Sequence, residues 1–224
     1  MHTAPSPRLL SIQVGQPQDH DTPNPADGKP AHWRSGFMKT TVAGAVWLGE
    51  TGLEGDGQAD LKVHGGPHKA VNVYPWEHFS AWRRELGCGE VAAGAFGENF
   101  TVAGLLETGV CIGDRFRVGA ALVEVTQARQ PCWKLARSWG VPDMVARVRR
   151  SGRSGWYFRT LEAGYVQAGD MLELVVRPWP QWNVTRAARI VQDAHADPAL
   201  TADLAACGAL SPSWRERLLA RVGR

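Results

Sequence analysis

Long apolar runs are missing from this 224-residue sequence, and so is a secretion signal at its start. No stretch approaches the roughly 18 apolar residues that a helix needs to cross a bilayer. The opening residues, MHTAPSP, have neither the basic nor the apolar region of a signal peptide. We therefore expect a cytoplasmic protein with no membrane partner.

Cysteine is scarce, with four residues at positions 88, 111, 132 and 207. No two of them form a C-x-x-C pair, which excludes a zinc ribbon and a thioredoxin-type redox motif. In a reducing compartment such cysteines remain thiols instead of forming disulfides. Each one is therefore considered separately as a candidate functional group.

Net charge is also small, because 25 Lys and Arg face 22 Asp and Glu, which leaves +3. That total does not by itself indicate a polyanionic partner. The distribution is uneven, however, since residues 129–159 hold eight basic residues and one acid, a local charge of +7. Residues 177–224 hold seven arginines and four acids and supply the whole net excess.

Short β-like runs bounded by glycine and proline are abundant in the first 180 residues. They predict a mainly β protein of the α+β class that folds as a barrel or a strongly curved sheet. The predicted strands are 9–14, 32–39, 42–48, 70–74, 99–102, 110–118, 122–127, 165–167 and 171–176. Apolar spacing or an early proline predicts helices at 76–86, 132–139 and 142–150.

Composition changes at Arg177-Pro178-Trp179-Pro180, and beyond it three further helices are predicted. These helices are 184–193, 199–207 and 212–222. We therefore divide the chain into a barrel domain, 1–178, and a three-helix C-terminal subdomain, 179–224. Because so short a segment makes a poor core, the subdomain is expected to dock on the barrel or on a second subunit in a homodimer.

A glycine-rich passage at residues 52–70, GLEGDGQADLKVHGGPHKA, has the most unusual composition in the chain. It suits a loop that closes around a ligand, and the alternative is a hairpin loop whose acids only cap turns. The spacing of His64 and His68 does not indicate a zinc pair, because Gly65-Gly66-Pro67 prevents the helix that would align them. Extended backbone would instead place Lys62 and His64 on one side.

Cys132 lies between Arg129 and Lys134, at the end of a predicted strand and the start of a predicted helix. In this setting the thiol is expected to ionise below its usual pKa of about 8.5, which suits a nucleophile or a ligand for a soft metal. The alternative is a small buried hydrophobic side chain, the commonest role of a free cysteine. Glu98 and Asn99 add a weaker signal, since both could hydrogen-bond a polar ring.

These passages together resemble the MOSC domain family, related to the C-terminal part of molybdenum cofactor sulfurase, and in particular its YiiM-like branch. The likeness runs through 52–56, 62–67, 96–99 and 129–135, in that order, and through the three C-terminal helices. The resemblance implies a barrel like the β-barrel domain of pyruvate kinase. It also implies a bound molybdenum cofactor of the molybdopterin type.

Carried over by position, the resemblance implies that Cys132 ligates molybdenum and acts with Lys62 and His64 in catalysis. Other residues of the matching passages are implied to bind the cofactor: Glu54, Asp56, Gly65, Gly66, Glu98, Asn99, Arg129 and Lys134. The implied activity is reduction of N-hydroxylated small molecules such as 6-hydroxylaminopurine. Since the sequence has no ferredoxin-type cysteine set, electrons are expected from a reductase or a flavodoxin- or ferredoxin-type protein.

Other functions would use the same residues. A metal-free transferase or hydrolase would use Cys132 as a nucleophile activated by His64. A carrier or sulfur-transfer accessory protein would hold the pterin without turnover. Nucleic-acid binding by the arginine-rich helices of 184–222 is not favoured, because the arginine spacing fits an ordinary solvated face.

Overall fold

The computed structural model describes residues 6–23, 25–61 and 64–222, and an eight-stranded sheet forms its centre. All neighbouring strands are antiparallel except one parallel pair, β7 with β8. In spatial order the strands are β13 (Leu172–Val176), β9 (Arg115–Val118), β10 (Ala121–Ala128), β11 (Trp156–Glu162), β7 (Val71–Pro75), β8 (Phe100–Ala103), β1 (Arg8–Val14) and β4 (Thr40–Thr41).

The sheet curves so strongly that strands from its two ends meet. The Leu9 N–H donates to the Asp170 carbonyl at 2.8 Å, and the Leu172 N–H donates to the Pro7 carbonyl at 2.9 Å. Among the described residues a single bridge, and no continuous ladder, joins β1 to the start of β13, so the barrel is not closed. The prediction of an α+β fold with a curved sheet is confirmed. The structure corrects one point, because the two ends of the sheet do not join into a closed barrel.

Strand β11 is central in the sheet, yet its sequence does not alternate between apolar and polar residues. Trp156, Tyr157 and Phe158 are consecutive and all buried, because both faces of the strand are covered at this end. The strand also follows an arginine-rich segment, so a stretch of sequence that includes both does not look apolar. For these reasons the strand could not be predicted from its own sequence.

A three-stranded sheet and a hairpin lie beside the main sheet. The small sheet has the order β12 (Gly164–Val166), β5 (Val46–Gly49) and β6 (Gly52–Leu53). The hairpin pairs β2 (Gln18–Asp21) with β3 (His32–Ser35), and we call it the arm. Its tip is held by Arg137, which donates to Asp27 at 2.6 and 2.9 Å and to the Pro30 carbonyl at 2.6 Å.

Three helices and a short 3-10 turn, Pro67–Lys69, decorate the sheet: α1 (Glu77–Leu86), α2 (Trp133–Trp139) and α3 (Met144–Ser151). All three helices were predicted from apolar spacing or a proline signal. They share a second, mostly aromatic core, in which the rings of Tyr74 and Phe96 stack with centroids 4.1 Å apart. No helix of the described residues is long and apolar enough to span a membrane.

The C-terminal helices, α4 (Val184–Gln192), α5 (Pro198–Ala205) and α6 (Pro212–Val222), pack against the main sheet. The Val184 N–H donates to the Val110 carbonyl at 2.8 Å, and the Ser211 N–H donates to the Thr126 carbonyl at 3.3 Å. Leu204 of α5 is fully buried in the same apolar cluster as the sheet. The helices therefore dock on the sheet as expected, while the division at residue 178 stays a prediction.

Candidate active site

One cavity lies where the arm, the glycine-rich loop and the start of α2 meet, with about 610 Å³ of space that is partly open to solvent. The cavity brings together most of the residues singled out from the sequence. They are Asp56, His64, Gly65, Asn99, Arg129, Cys132 and Lys134.

Three of the predicted site residues are placed outside the cavity lining. Glu54 is exposed outside the cavity lining, and Gly66 lies just beyond it at the start of the 3-10 turn. Glu98 is fully buried behind the wall, where its carboxylate accepts hydrogen bonds from backbone N–H groups and shapes the loop before β8. Lys62 lies outside the described residues.

Cys132 is the residue before the first turn of α2 and faces the cavity. Burial alone would raise the pKa of its thiol. A hydrogen bond with the His64 side chain, the charge of Arg129 and the backbone N–H of Lys134 together outweigh burial and lower the pKa to about 7. The predicted low pKa is confirmed, although the Lys134 ammonium instead donates to the Arg34 carbonyl at 2.7 Å.

Arg129 follows β10 and is only 5% exposed. Its guanidinium carbon lies 6.0 Å from the centre of the Phe37 ring, and its side chain hydrogen-bonds with Tyr157. Its Nη1 atom has no hydrogen-bond partner among the described residues. Because a buried, charged donor without a partner is costly, an anionic group in the cavity would satisfy it.

The carboxylate of Asp56 connects several segments of the wall. It forms a buried ion pair with Lys39 and accepts hydrogen bonds from the Gly15 N–H at 2.9 Å, from Asn99 at 2.9 Å and from Gln58 at 3.1 Å. Burial lowers the pKa of Lys39, and the Asp56 charge opposes that shift. Asp56 therefore positions its neighbours and keeps a cationic amine in the cavity wall.

Lys39, Asn72 and Tyr157 also line the cavity but were not predicted as site residues, and Lys69 was predicted only as part of the glycine-rich passage. Asn72 carried a usable signal, because a lone amide between two valines of a buried strand needs polar partners. Its Nδ2 donates to the Gly97 carbonyl at 2.9 Å, while its Oδ1 has no partner among the described residues. Tyr157 could not be found, since its strand was not predicted.

Two glycines of the cavity lining bring the end of the arm into contact with the glycine-rich loop. A Cβ atom on Gly36, the residue after β3, would lie 2.2 Å from the Gly57 carbonyl oxygen, which is too close for any side chain. Further along the loop, a Cβ atom on Gly65 would lie 2.5 Å from the Gln58 side chain. At Gly36 and Gly57 the wall is therefore formed by two backbones in direct contact.

The donor set limits the kind of metal that this cavity could bind. No group of three or more His, Cys, Asp or Glu side chains within the described parts of the chain is placed to hold a metal ion. A metal bound to Cys132 would therefore need additional ligands from an organic cofactor or from substrate. The Cys132 thiolate is a soft donor, which suits a thiophilic metal.

Comparison with known proteins identifies the family. The sequence profile of the MOSC domain matches residues 60–173, the segment that contains His64, Arg129 and Cys132. The chain belongs to the MOSC domain family. The family named from sequence motifs is thereby confirmed.

Individual MOSC relatives extend the similarity beyond that segment. YflK of Bacillus subtilis (strain 168) is 45% identical over 218 residues, covering 96% of this chain and 95% of YflK. A protein named reductase from Gibberella moniliformis (strain M3125 / FGSC 7600) is 32% identical over 198 residues, which are 86% of this chain and 34% of the fungal protein. The crystal structure of YiiM from Geobacillus stearothermophilus matches with a TM-score of 0.80 at 35% identity, covering 96% of this chain and 99% of YiiM.

Proposed function

We propose that this MOSC domain protein is a molybdenum-cofactor-dependent oxidoreductase that reduces N-hydroxylated compounds of the 6-hydroxylaminopurine type in the cytoplasm. The reaction is R–NHOH + 2 e⁻ + 2 H⁺ → R–NH₂ + H₂O. One observation carries the proposal: a readily ionised thiol, Cys132, shares a cavity with a buried guanidinium nitrogen of Arg129 that lacks a partner. The fungal relative named reductase agrees with this class of reaction.

The residues present fit a cofactor of the molybdopterin type. Cys132 would hold the metal through its thiolate, and Arg129 would pair with an anionic group of the cofactor, such as its phosphate. The free Oδ1 of Asn72 and the amide of Asn99 offer hydrogen bonds to a polar ring. When bound, the cofactor supplies two-electron oxygen-atom transfer, the chemistry that removes the oxygen of an N–OH group.

His64 is the proton donor that the geometry favours. Its imidazole hydrogen-bonds with Cys132 and lines the same cavity, so it can hold a proton next to the leaving oxygen. Lys62, outside the described residues, stays proposed as the alternative donor. The buried Lys39 ammonium adds positive charge to the wall, and the rings of Phe37 and Tyr157 add apolar surface to it.

The test is the Cys132→Ala variant, purified from a host that makes the cofactor. We expect it to lose both bound molybdenum and 6-hydroxylaminopurine reduction, measured by elemental analysis and with dithionite-reduced methyl viologen as electron source. Cys88→Ala, which changes an exposed cysteine away from the cavity, is the matched control and should keep both. Retention of molybdenum and activity in Cys132→Ala would reject the proposal.

A metal-free cysteine enzyme is a second candidate, because the Cys132 and His64 pair also fits an activated nucleophile. Elemental analysis separates the two, since about one equivalent of molybdenum in the unmodified protein excludes the metal-free enzyme. A carrier or sulfur-transfer protein would contain the cofactor but show no steady-state reduction. Turnover with methyl viologen distinguishes that alternative.

A further inference from the structure

A strongly basic surface lies behind the segment that carries Cys132. Two adjoining grooves share Pro131, Arg149 and Gln192 in their walls, and we call them together the basic groove. No Asp or Glu of the described residues lines it. Its arginines are Arg129, Arg149, Arg150, Arg189 and Arg217.

Four of these arginines, Arg149, Arg150, Arg189 and Arg217, are exposed, and none forms an ion pair with another described residue. Part of the Arg150 charge is offset by Asp143, whose pKa is lowered by its hydrogen bond with Arg147 and also by the charge of Arg150. Their neighbour on α3, Arg147, shows the usual alternative, because it pairs with Asp143 at 2.8 Å. Positive charge from three helices, α3, α4 and α6, is thus concentrated along one groove, where it attracts an acidic partner.

The basic groove is close in the chain to the proposed metal ligand. Pro131 lines the groove and directly precedes Cys132, which lines the central cavity. Arg129 contributes to the walls of both. A protein docked in the groove would therefore be separated from the reaction centre by little more than residues 129–131.

We infer that the basic groove docks an acidic flavin-containing protein of the flavodoxin type, which delivers electrons to the reaction centre. This inference rests on the proposed reductase function. Each turnover needs two electrons, which two one-electron steps supply as two FMN hydroquinones are oxidised to semiquinones. Two protons taken up from water and buffer balance the cleavage of the N–O bond and the release of water.

The exposure of the groove arginines favours a macromolecular partner over a free phosphate. The arginines are spread over three helices, so they offer an extended charged face instead of a buried anion pocket. Electron-transfer complexes are typically small interfaces that depend on complementary charge for rapid association. Nucleic acid is treated as a competing outcome in the test.

The test uses the molybdenum-loaded full-length protein and purified flavodoxin as the probe. Arg149→Glu/Arg217→Glu reverses two charges of the groove, and Arg83→Glu/Arg84→Glu on the exposed face of α1 is the matched control. We expect the groove variant to weaken flavodoxin binding by about tenfold or more in calorimetry and to raise the KM for reduced flavodoxin similarly. Its rate with methyl viologen should stay within about twofold of the unmodified protein, and binding should weaken as salt rises from about 20 to 300 mM.

The outcomes are distinguishable from failure of the proposed function. If the unmodified protein does not reduce substrate with methyl viologen, the proposed reductase function is rejected. Flavodoxin binding in calorimetry does not depend on turnover, so it tests the docking surface separately. The docking surface would be rejected if both double variants weakened flavodoxin binding equally. It would also be rejected if the unmodified protein did not bind flavodoxin at low salt. Tighter, groove-dependent binding of duplex DNA than of flavodoxin would replace the electron donor with nucleic acid as the partner.

Discussion

Asp56 and Asn99 lie 43 residues apart in the chain and are joined by a hydrogen bond of 2.9 Å. The same carboxylate pairs with Lys39, so one side chain ties the glycine-rich loop to two other walls of the cavity. In Asp56→Asn the Lys39 ammonium would remain buried without its partner, which is expected to lower the free energy of unfolding by about 3–5 kcal/mol. Urea denaturation measures this loss.

Glu54→Gln is the matched control for this prediction, because it changes an exposed acid of the same loop. It should alter the free energy of unfolding by less than about 0.5 kcal/mol. Similar small effects of both substitutions would show that the ion pair of Asp56 is not needed to hold the wall together.

The ionisation of Cys132 should depend on His64. The pKa of the thiol is about 7, and removal of the His64 hydrogen bond in His64→Ala should move it upward, toward the ordinary value of about 8.5. Less thiolate would then be present at pH 7, so alkylation by iodoacetamide would slow there and its pH midpoint would rise. Rates measured in a Cys88→Ser background isolate Cys132 from the exposed cysteine.

His195→Ala, which removes an exposed histidine between α4 and α5, should leave that midpoint near 7. A midpoint unchanged by His64→Ala would mean that Arg129 and the backbone of Lys134 suffice to lower the pKa. The proton-donor role of His64 would then lose its structural support.

Arg129→Met should separate cofactor binding from folding. The substitution removes a buried guanidinium that has an unsatisfied nitrogen, so stability of the cofactor-free protein should change by less than about 1 kcal/mol or even increase. Molybdenum content should fall by about tenfold, since an ion pair to the cofactor is lost. Thermal melting and elemental analysis report the two effects, and full molybdenum content in the variant would contradict the assignment.

The C-terminal helices should be inseparable from the sheet in folding. Leu204→Ala deletes a fully buried side chain from the shared apolar cluster and is expected to cost about 2–5 kcal/mol. Leu219→Ala on α6 is the control, because Leu219 is 53% exposed. A chain ending at residue 178 that melts at the same temperature as the full chain would show instead that the helices form an independent unit.

Local signals explain which parts of the fold were predictable. Helices α1 to α6 follow from apolar spacing and from proline and glycine at their ends, which act within a few residues. Strand β11 depends on distant partners, since Trp156 pairs with Val73 of β7, and its consecutive aromatic residues give no alternation. The short strands β2, β4 and β6 were missed for a similar reason, because their pairing is not encoded in their own sequences.

The residues of the candidate site also fall into two groups: those that could be predicted from their neighbours in the chain, and those that depend on distant partners. The setting of Cys132 could be inferred from its neighbours in the chain, and the structure bears out its low pKa. Lys39 enters the cavity only because a distant carboxylate, Asp56, offsets the cost of burying its charge. Glu98 is the opposite case, since its carboxylate is buried and accepts hydrogen bonds from backbone N–H groups of its own loop, which its motif alone did not indicate.

The contact of Gly36 with Gly57 has a consequence for how the pocket can diversify. Where two main chains touch, the distance between these two segments of the wall does not depend on which side chains surround the contact. Substitutions of other lining residues can therefore change which chemical groups the cavity accepts while this part of the wall stays in place. A side chain at position 36 would instead collide with the Gly57 carbonyl and force the two segments apart, which would change the shape of the cavity.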